Sequence, residues 1–260
     1  MSHGELAKVL AFDAAQADRL CTRTEIFEWG RALFHSDFPN VYDLNFLRVE
    51  DGEPRPSADA LAAEAERIQG GAGLRHRKVR VTEEGLGRDV EEGFEKLGWD
   101  RERTVVMAHH REPDQRPATG SATRIDLDRM RRARELSLRQ EPEKKSESEI
   151  QQLVDCARLM EERIGARFYG AQAGDEIAST CELYSDGATA QIEAVITLEQ
   201  HRNKGLARAV VMAALDDALA AGHDLVFLVA DDEDWPQELY RKLGFEAIGR
   251  PFCDFILTPH

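Results

Sequence analysis

Apolar positions recur at helical spacing, switch to strand-like runs and return to helical spacing through the C-terminal half of the chain. The period predicts an Arg-rich amphipathic helix over 126–138 and a second helix over 149–164, with the polar run 140–148 as the loop between them. Residues 166–173 and 177–184 read as strands joined by a turn at Gly174-Asp175. Asp186-Gly187 suits a hairpin turn into the next strand, 191–198. Beyond it Ala207, Val211, Ala214, Leu215 and Ala218 return at helical spacing, and Gly222 ends that helix. The short apolar run 225–230 fits a strand covered on both faces. A marked helix start follows, with Asp234 as N-cap, Pro236 in the first turn and Gln237 three residues on. Gly244 closes this helix as a left-handed cap, and 252–257 supplies a last strand. The order predicts an α/β (α+β) fold, a mixed central sheet flanked by helices.

The N-terminal half repeats part of this order. Residues 41–49, 78–81 and 104–109 read as strands and 58–69 as a helix. The stretch Glu91-Glu92-Gly93-Phe94-Glu95-Lys96-Leu97-Gly98-Trp99 parallels Gln237-Glu238-Leu239-Tyr240-Arg241-Lys242-Leu243-Gly244-Phe245. The chain therefore reads as a duplicated unit. The polar segment 111–123, with two prolines and a glycine, marks the joint, and we expect domains at 1–115 and 116–260.

Composition narrows the chemistry. A hydrophobic content of 42% suffices for a packed core, and a net charge of −15 argues against a nucleic-acid-binding surface. No apolar run approaches a membrane span and the N-terminus shows no signal-peptide pattern, so a cytoplasmic protein without a membrane partner is expected. Cys21, Cys156, Cys181 and Cys253 lie at no metal-binding spacing, which suits free thiols in a reducing compartment and no metal site.

The stretch Arg202-Asn203-Lys204-Gly205-Leu206-Ala207 lies between a strand and a helix start. The first N–H groups of a helix lack intrahelical partners and sit at the positive end of its dipole, so they can donate to an anion. Arg202, Lys204 and Arg208 add full charge, and Gly205 lets the backbone approach a ligand with no Cβ in the way.

Arg202-x-x-Gly205-x-Ala207, followed by Leu239-Tyr240-Arg241-Lys242-Leu243-Gly244-Phe245, resembles the GNAT superfamily of acyl-CoA-dependent N-acetyltransferases, with the first block at its diphosphate loop. The resemblance covers about 123–260 well and implies a tandem GNAT-like chain. It implies that the backbone at Val195, Ile196 and Thr197 pairs with the pantetheine arm of acetyl-CoA. Backbone N–H groups of Asn203, Lys204, Gly205, Leu206, Ala207 and Arg208 would bind the diphosphate. Tyr240 would protonate the departing thiol. Glu193 is the candidate base, placed by strand alternation on the face of Val195 and Thr197, with Glu182 and His201 as weaker alternatives. The corresponding N-terminal segment, Gly52 to Asp59, has two prolines and two acids and makes a poor diphosphate loop, so that half reads as a degenerate copy. The implied activity is acetyl transfer to a primary amine of a small molecule or peptide, by a monomer or homodimer. A non-catalytic acyl-CoA-binding module is the alternative.

Overall fold

The computed structural model describes residues 2–50, 53–114, 121–141, 145–233 and 236–258. The expected cap Asp234, its neighbour Trp235 and parts of the polar runs 111–123 and 140–148 lie outside the described residues. In chain order the elements begin with α1 (Ser2–Leu20), β1 (Arg23–Phe27), β2 (Gly30–Phe34), β3 (Phe46–Val49), α2 (Ala58–Ala65), β4 (Arg77–Val81), α3 (Glu84–Lys96) and β5 (Asp100–His109). There follow β6 (Thr123–Ile125), α4 (Leu127–Gln140), α5 (Glu147–Ile164), β7 (Arg167–Ala173), β8 (Glu176–Asp186) and β9 (Thr189–Thr197). The series ends with α6 (Leu206–Ala220), β10 (Leu225–Asp231), α7 (Pro236–Lys242), β11 (Phe245–Gly249) and β12 (Cys253–Leu257).

The chain forms two compact α/β units. The first comprises 1–12, 106–230 and 234–248, the second 13–105, 231–233 and 249–260. Helix α1 and strand β5 thus lend residues to both.

In the second unit the strand order is β1-β2-β3-β4-β12-β5. Strands β3 and β4 are parallel, and β12 runs antiparallel to both of its neighbours, β4 and β5. One face of this sheet offers Leu47, Val49, Val79, Val81, Cys253 and Phe255 to α2 and α3, whose Leu61, Leu86 and Phe94 are fully buried. Phe94 stacks on Phe255 at 4.2 Å between ring centroids. The other face carries a charged row, because Arg48, Arg80, Asp254 and Glu102 are successive ladder partners. Arg80 grips Asp254 with two bonds of 2.8 and 2.7 Å, and Lys78 adds a third at 2.8 Å. Burial alone would raise the Asp254 carboxyl, but Arg80 and Lys78 outweigh it and hold it well below the usual carboxylate range.

Two N-terminal expectations are modified. The predicted strand 41–49 is a 3₁₀ turn, Tyr42–Leu44, before β3 begins. Asn45 causes the break: its amide donates to the carbonyls of Phe38 and Val41 and accepts from the His35 N–H, pulling the backbone out of the sheet. The predicted helix 58–69 is α-helical to Ala65 and then widens to a π-turn, Glu66–Gly70.

In the first unit the order runs from β5 through β10, β9, β8 and β7 to β6, with β11 also paired to β5. Strands β6 to β9 are antiparallel to one another, and β9 and β10 are parallel. Adjacent residues of β8 place its helices on opposite faces. Cys181 Sγ meets the Val210 carbonyl of α6, whereas Glu182 meets Arg134 of α4. Helix α4 starts where Asp126 accepts from Arg129 N–H, and α5 opens on a Ser146–Glu149 capping box. At the end of α7, Gly244 adopts φ +92°, and a Cβ there would lie 1.9 Å from the Arg111 carbonyl oxygen. Only glycine fits at that position.

Candidate active site

The site forms where β9 leaves β10. Their parallel pairing runs from Leu225↔Thr189 to Leu228↔Ile192 and stops there. Ala194 sits at φ +50°, and on the other side the β8 register slips by one residue between Thr180↔Ile196 and Glu182↔Glu193. This is a β-bulge, which bends the strand and turns its β10-side edge away from a partner. In the second unit the equivalent parallel pair stays closed to its end, Val49↔Val81, and the Thr82 hydroxyl donates to the Val49 carbonyl at 2.9 Å.

Beyond the bulge Leu198 N–H returns to Ala178 O, and a 3₁₀ turn, Glu199–His201, leads into the loop. Asn203 at φ +62° and Gly205 at φ +77° reverse the chain into α6. Gly205 is the N-cap and has no side chain to cap the helix, so the first N–H groups of α6 are left for an outside acceptor. A Cβ built on Gly205 meets nothing within 4 Å.

These segments line one cleft of about 1220 Å³. Val195, Ile196 and Thr197, the whole loop from Arg202 to Arg208, and Tyr240 all border it. Tyr240 is 7% exposed, and its hydroxyl is pushed up, first by burial and then by the negative charge of Glu193. The phenol therefore stays protonated at neutral pH.

Glu193 is half-buried and does not border the cleft wall. Its carboxylate accepts from Gln191 Nε2 and, at 3.2 Å, from Ala194 N–H. The bulge interrupts the alternation that would have put Glu193 on the face of Val195 and Thr197. Instead it shares a face with its ladder partner Glu182. Glu182 is fully buried and committed elsewhere: Arg134 donates to one carboxylate oxygen, and the Tyr184 hydroxyl donates to the other at 2.6 Å. His201 borders the cleft and bonds Glu176 at 2.7 Å.

The acids after β10 belong to the second unit's own charge pairs, Asp232 with Arg250 at 2.7 Å and Glu233 with Arg101. Ser137, Gln140 and Glu141, at the end of α4, also border the cleft. No local pattern marks them in the sequence. Among the described residues no group of His, Cys, Asp and Glu could hold a metal ion, and no helix is long and apolar enough to cross a membrane.

Residues 130–245 match the Acetyltransferase (GNAT) family. Among solved structures, a functionally unknown conserved protein from Staphylococcus epidermidis gives a TM-score of 0.69 at 13% identity, over 92% of this chain and 94% of that one. A GCN5-related N-acetyltransferase from Kribbella flavida gives 0.62 at 18% identity, over 96% and 95% of the two chains. A tandem GNAT protein from the clavulanic acid biosynthesis pathway gives 0.54 at 16%, over 82% and 75%. At such identities the likeness is one of fold. No curated protein matches the sequence.

Proposed function

We propose, on the premise that this chain is a member of the acetyltransferase (GNAT) family, that it transfers an acetyl group from acetyl-CoA to a primary amine of a small molecule or peptide, directly within a ternary complex. The observation that carries this reading is the parting of β9 from β10 at Ala194, in the same cleft as the uncapped start of α6 and Tyr240. An unpaired strand edge suits an amide-bearing arm, and a helix start flanked by Arg202, Lys204 and Arg208 suits a diphosphate.

The chemistry follows from what these groups can do. An alkylammonium has a pKa of about 10 and must lose a proton before its nitrogen can attack the thioester carbonyl. Glu193 takes that proton, directly or through water. As the C–N bond forms, a backbone N–H on the freed edge of β9 donates to the developing oxyanion. The C–S bond then breaks as the protonated Tyr240 hydroxyl gives its proton to the departing thiolate. The surplus proton of the attacking nitrogen passes through water to restore the phenol, leaving a neutral amide and a free thiol. Holding both substrates in one cleft supplies much of the rate.

In this reading 116–260 is the catalytic half and 1–115 a degenerate copy without a cofactor loop. The closed β3–β4 pair supports this, since it leaves no edge for the arm. All four cysteines are free, which suits a reducing, cytoplasmic setting, and in this reading the chain acts as a monomer or homodimer. The test is release of free CoA thiol from acetyl-CoA across a panel of primary amines, with binding followed by calorimetry. Amine-dependent thiol release supports the transferase. Binding without turnover by any amine leaves an acyl-CoA-binding module instead.

A further inference from the structure

We propose that Glu176 and His201 form a dyad that positions Lys204 for a phosphate of the acyl-CoA. This rests on the reading that the cleft takes acyl-CoA. His201 ends the 3₁₀ turn before the loop, and its side chain is 14% exposed. Its Nε2 lies 2.7 Å from Glu176 Oε1, at the start of β8, and its Nδ1 lies 3.3 Å from Lys204 Nζ. Lys204 also donates to the Gln200 carbonyl at 3.0 Å.

The chemistry fixes the direction of this chain of bonds. An ammonium can only donate, so Nδ1 of His201 is the acceptor. Nε2 therefore carries the ring proton and donates to the Glu176 carboxylate, which holds the imidazole in that tautomer. Two of the three ammonium N–H groups are thereby engaged, and the third has no acceptor among the described residues. Lys204 borders the cleft beside the uncapped start of α6, where its charge and remaining N–H serve an anion. A free lysine must be ordered when its ligand arrives, whereas this one is ordered beforehand.

The ring and the loop make separate contributions, and a double-mutant cycle divides them. His201→Phe keeps the ring volume but removes both nitrogens. It should weaken acetyl-CoA binding about three- to tenfold and raise KM, with kcat at saturation unchanged. In a Lys204→Met background the same change should have no further effect. Glu176→Gln retains an acceptor for Nε2–H and should bind better than Glu176→Ala. Repeating the cycle with 3′-dephospho-CoA identifies the phosphate. An effect that vanishes assigns Lys204 to the 3′-phosphate, and one that persists assigns it to the diphosphate. Full additivity of His201→Phe and Lys204→Met, or wild-type affinity in His201→Phe, overturns the dyad. So does an imidazole ¹⁵N spectrum placing the proton on Nδ1, a readout that needs no ligand. A wild-type chain that binds no acetyl-CoA, with the proton on Nε2, instead overturns the reading of the cleft and with it the dyad's assignment to a phosphate.

Discussion

Replacing Arg134 by Met tests the buried charge beneath the proposed base. The Arg134 side chain is 12% exposed and that of Glu182 is fully buried, so their bond is shielded from water. Met fills most of the volume of the arginine stem, so the main loss is the guanidinium. Glu182 would then keep the Tyr184 hydroxyl as a donor but lose its charged partner. Removing one member of a buried pair costs about 3–5 kcal/mol, because the other charge stays behind uncompensated. Urea unfolding of the single variant should show a loss of that size. Glu182→Gln in the same chain removes the stranded charge and leaves an acceptor for Tyr184. The double variant should therefore be more stable than Arg134→Met alone, by about 1–3 kcal/mol. Strictly additive penalties, or an Arg134→Met cost below about 1 kcal/mol, would refute the buried pair. The variant also has a kinetic signature. Glu182 lies opposite Glu193 in the β8–β9 register, so a stranded charge there disturbs the base, and Glu182→Gln should restore kcat.

Tyr240→Phe should lower kcat at least tenfold while leaving acetyl-CoA affinity near wild type, and unchanged turnover would remove Tyr240 from the chemistry. Gly205→Ala meets no steric obstacle but must hold φ +77°. It should cost about 1–2 kcal/mol of stability in thermal melts and also lose most of the stabilisation that acetyl-CoA confers. Buried His76 stacks on Tyr42 at 3.9 Å, and burial is the main cause that pushes its pKa down to about 4 from 6.5. Between those values the unfolded chain binds the proton more readily, so stability falls as pH drops from 6.5 towards 4. The loss from this group approaches about 3 kcal/mol. His76→Gln should flatten that limb of a stability–pH curve, and an unchanged slope would acquit His76.

The C-terminal elements were legible because strong local signals agree with their tertiary surroundings. Gly187 and Gly244 stand at the turn and the cap expected of them, whereas α5 starts two residues before the expected 149 because Ser146 and Glu149 form a capping box inside the expected loop. The loop from Arg202 to Arg208 was equally legible, since a helix start and its basic residues are contiguous. What escaped was non-local. Ala194 at φ +50° carries no glycine to announce a bulge, so strand alternation alone places Glu193 on the face opposite to the one it shares with Glu182. The Arg134–Glu182 and His201–Glu176 pairs join residues from separate elements, which no periodicity can match. Helix α1, the β1–β2 hairpin and β11 also lie outside the elements that the sequence pattern marks. The hairpin's β1 keeps most of its residues exposed or half-exposed, and β11 is short, so neither offers a clear apolar pattern.

The position of β12 has a consequence for biosynthesis. Arg80 and Asp254 are neighbours in one sheet yet 174 residues apart in sequence. While the ribosome is still reading the segment between them, β4 and β5 each lack the partner that β12 provides, and Phe94 lacks the ring it stacks on. The second unit, most of which is made before residue 106, is thus completed late, after the whole cleft-bearing segment has been made. Until then it presents two open strand edges, the surfaces that chaperones shield and that aggregation recruits. A chain that stalls before Cys253 lacks the strand needed to close this sheet, so closure reports on translation through both units.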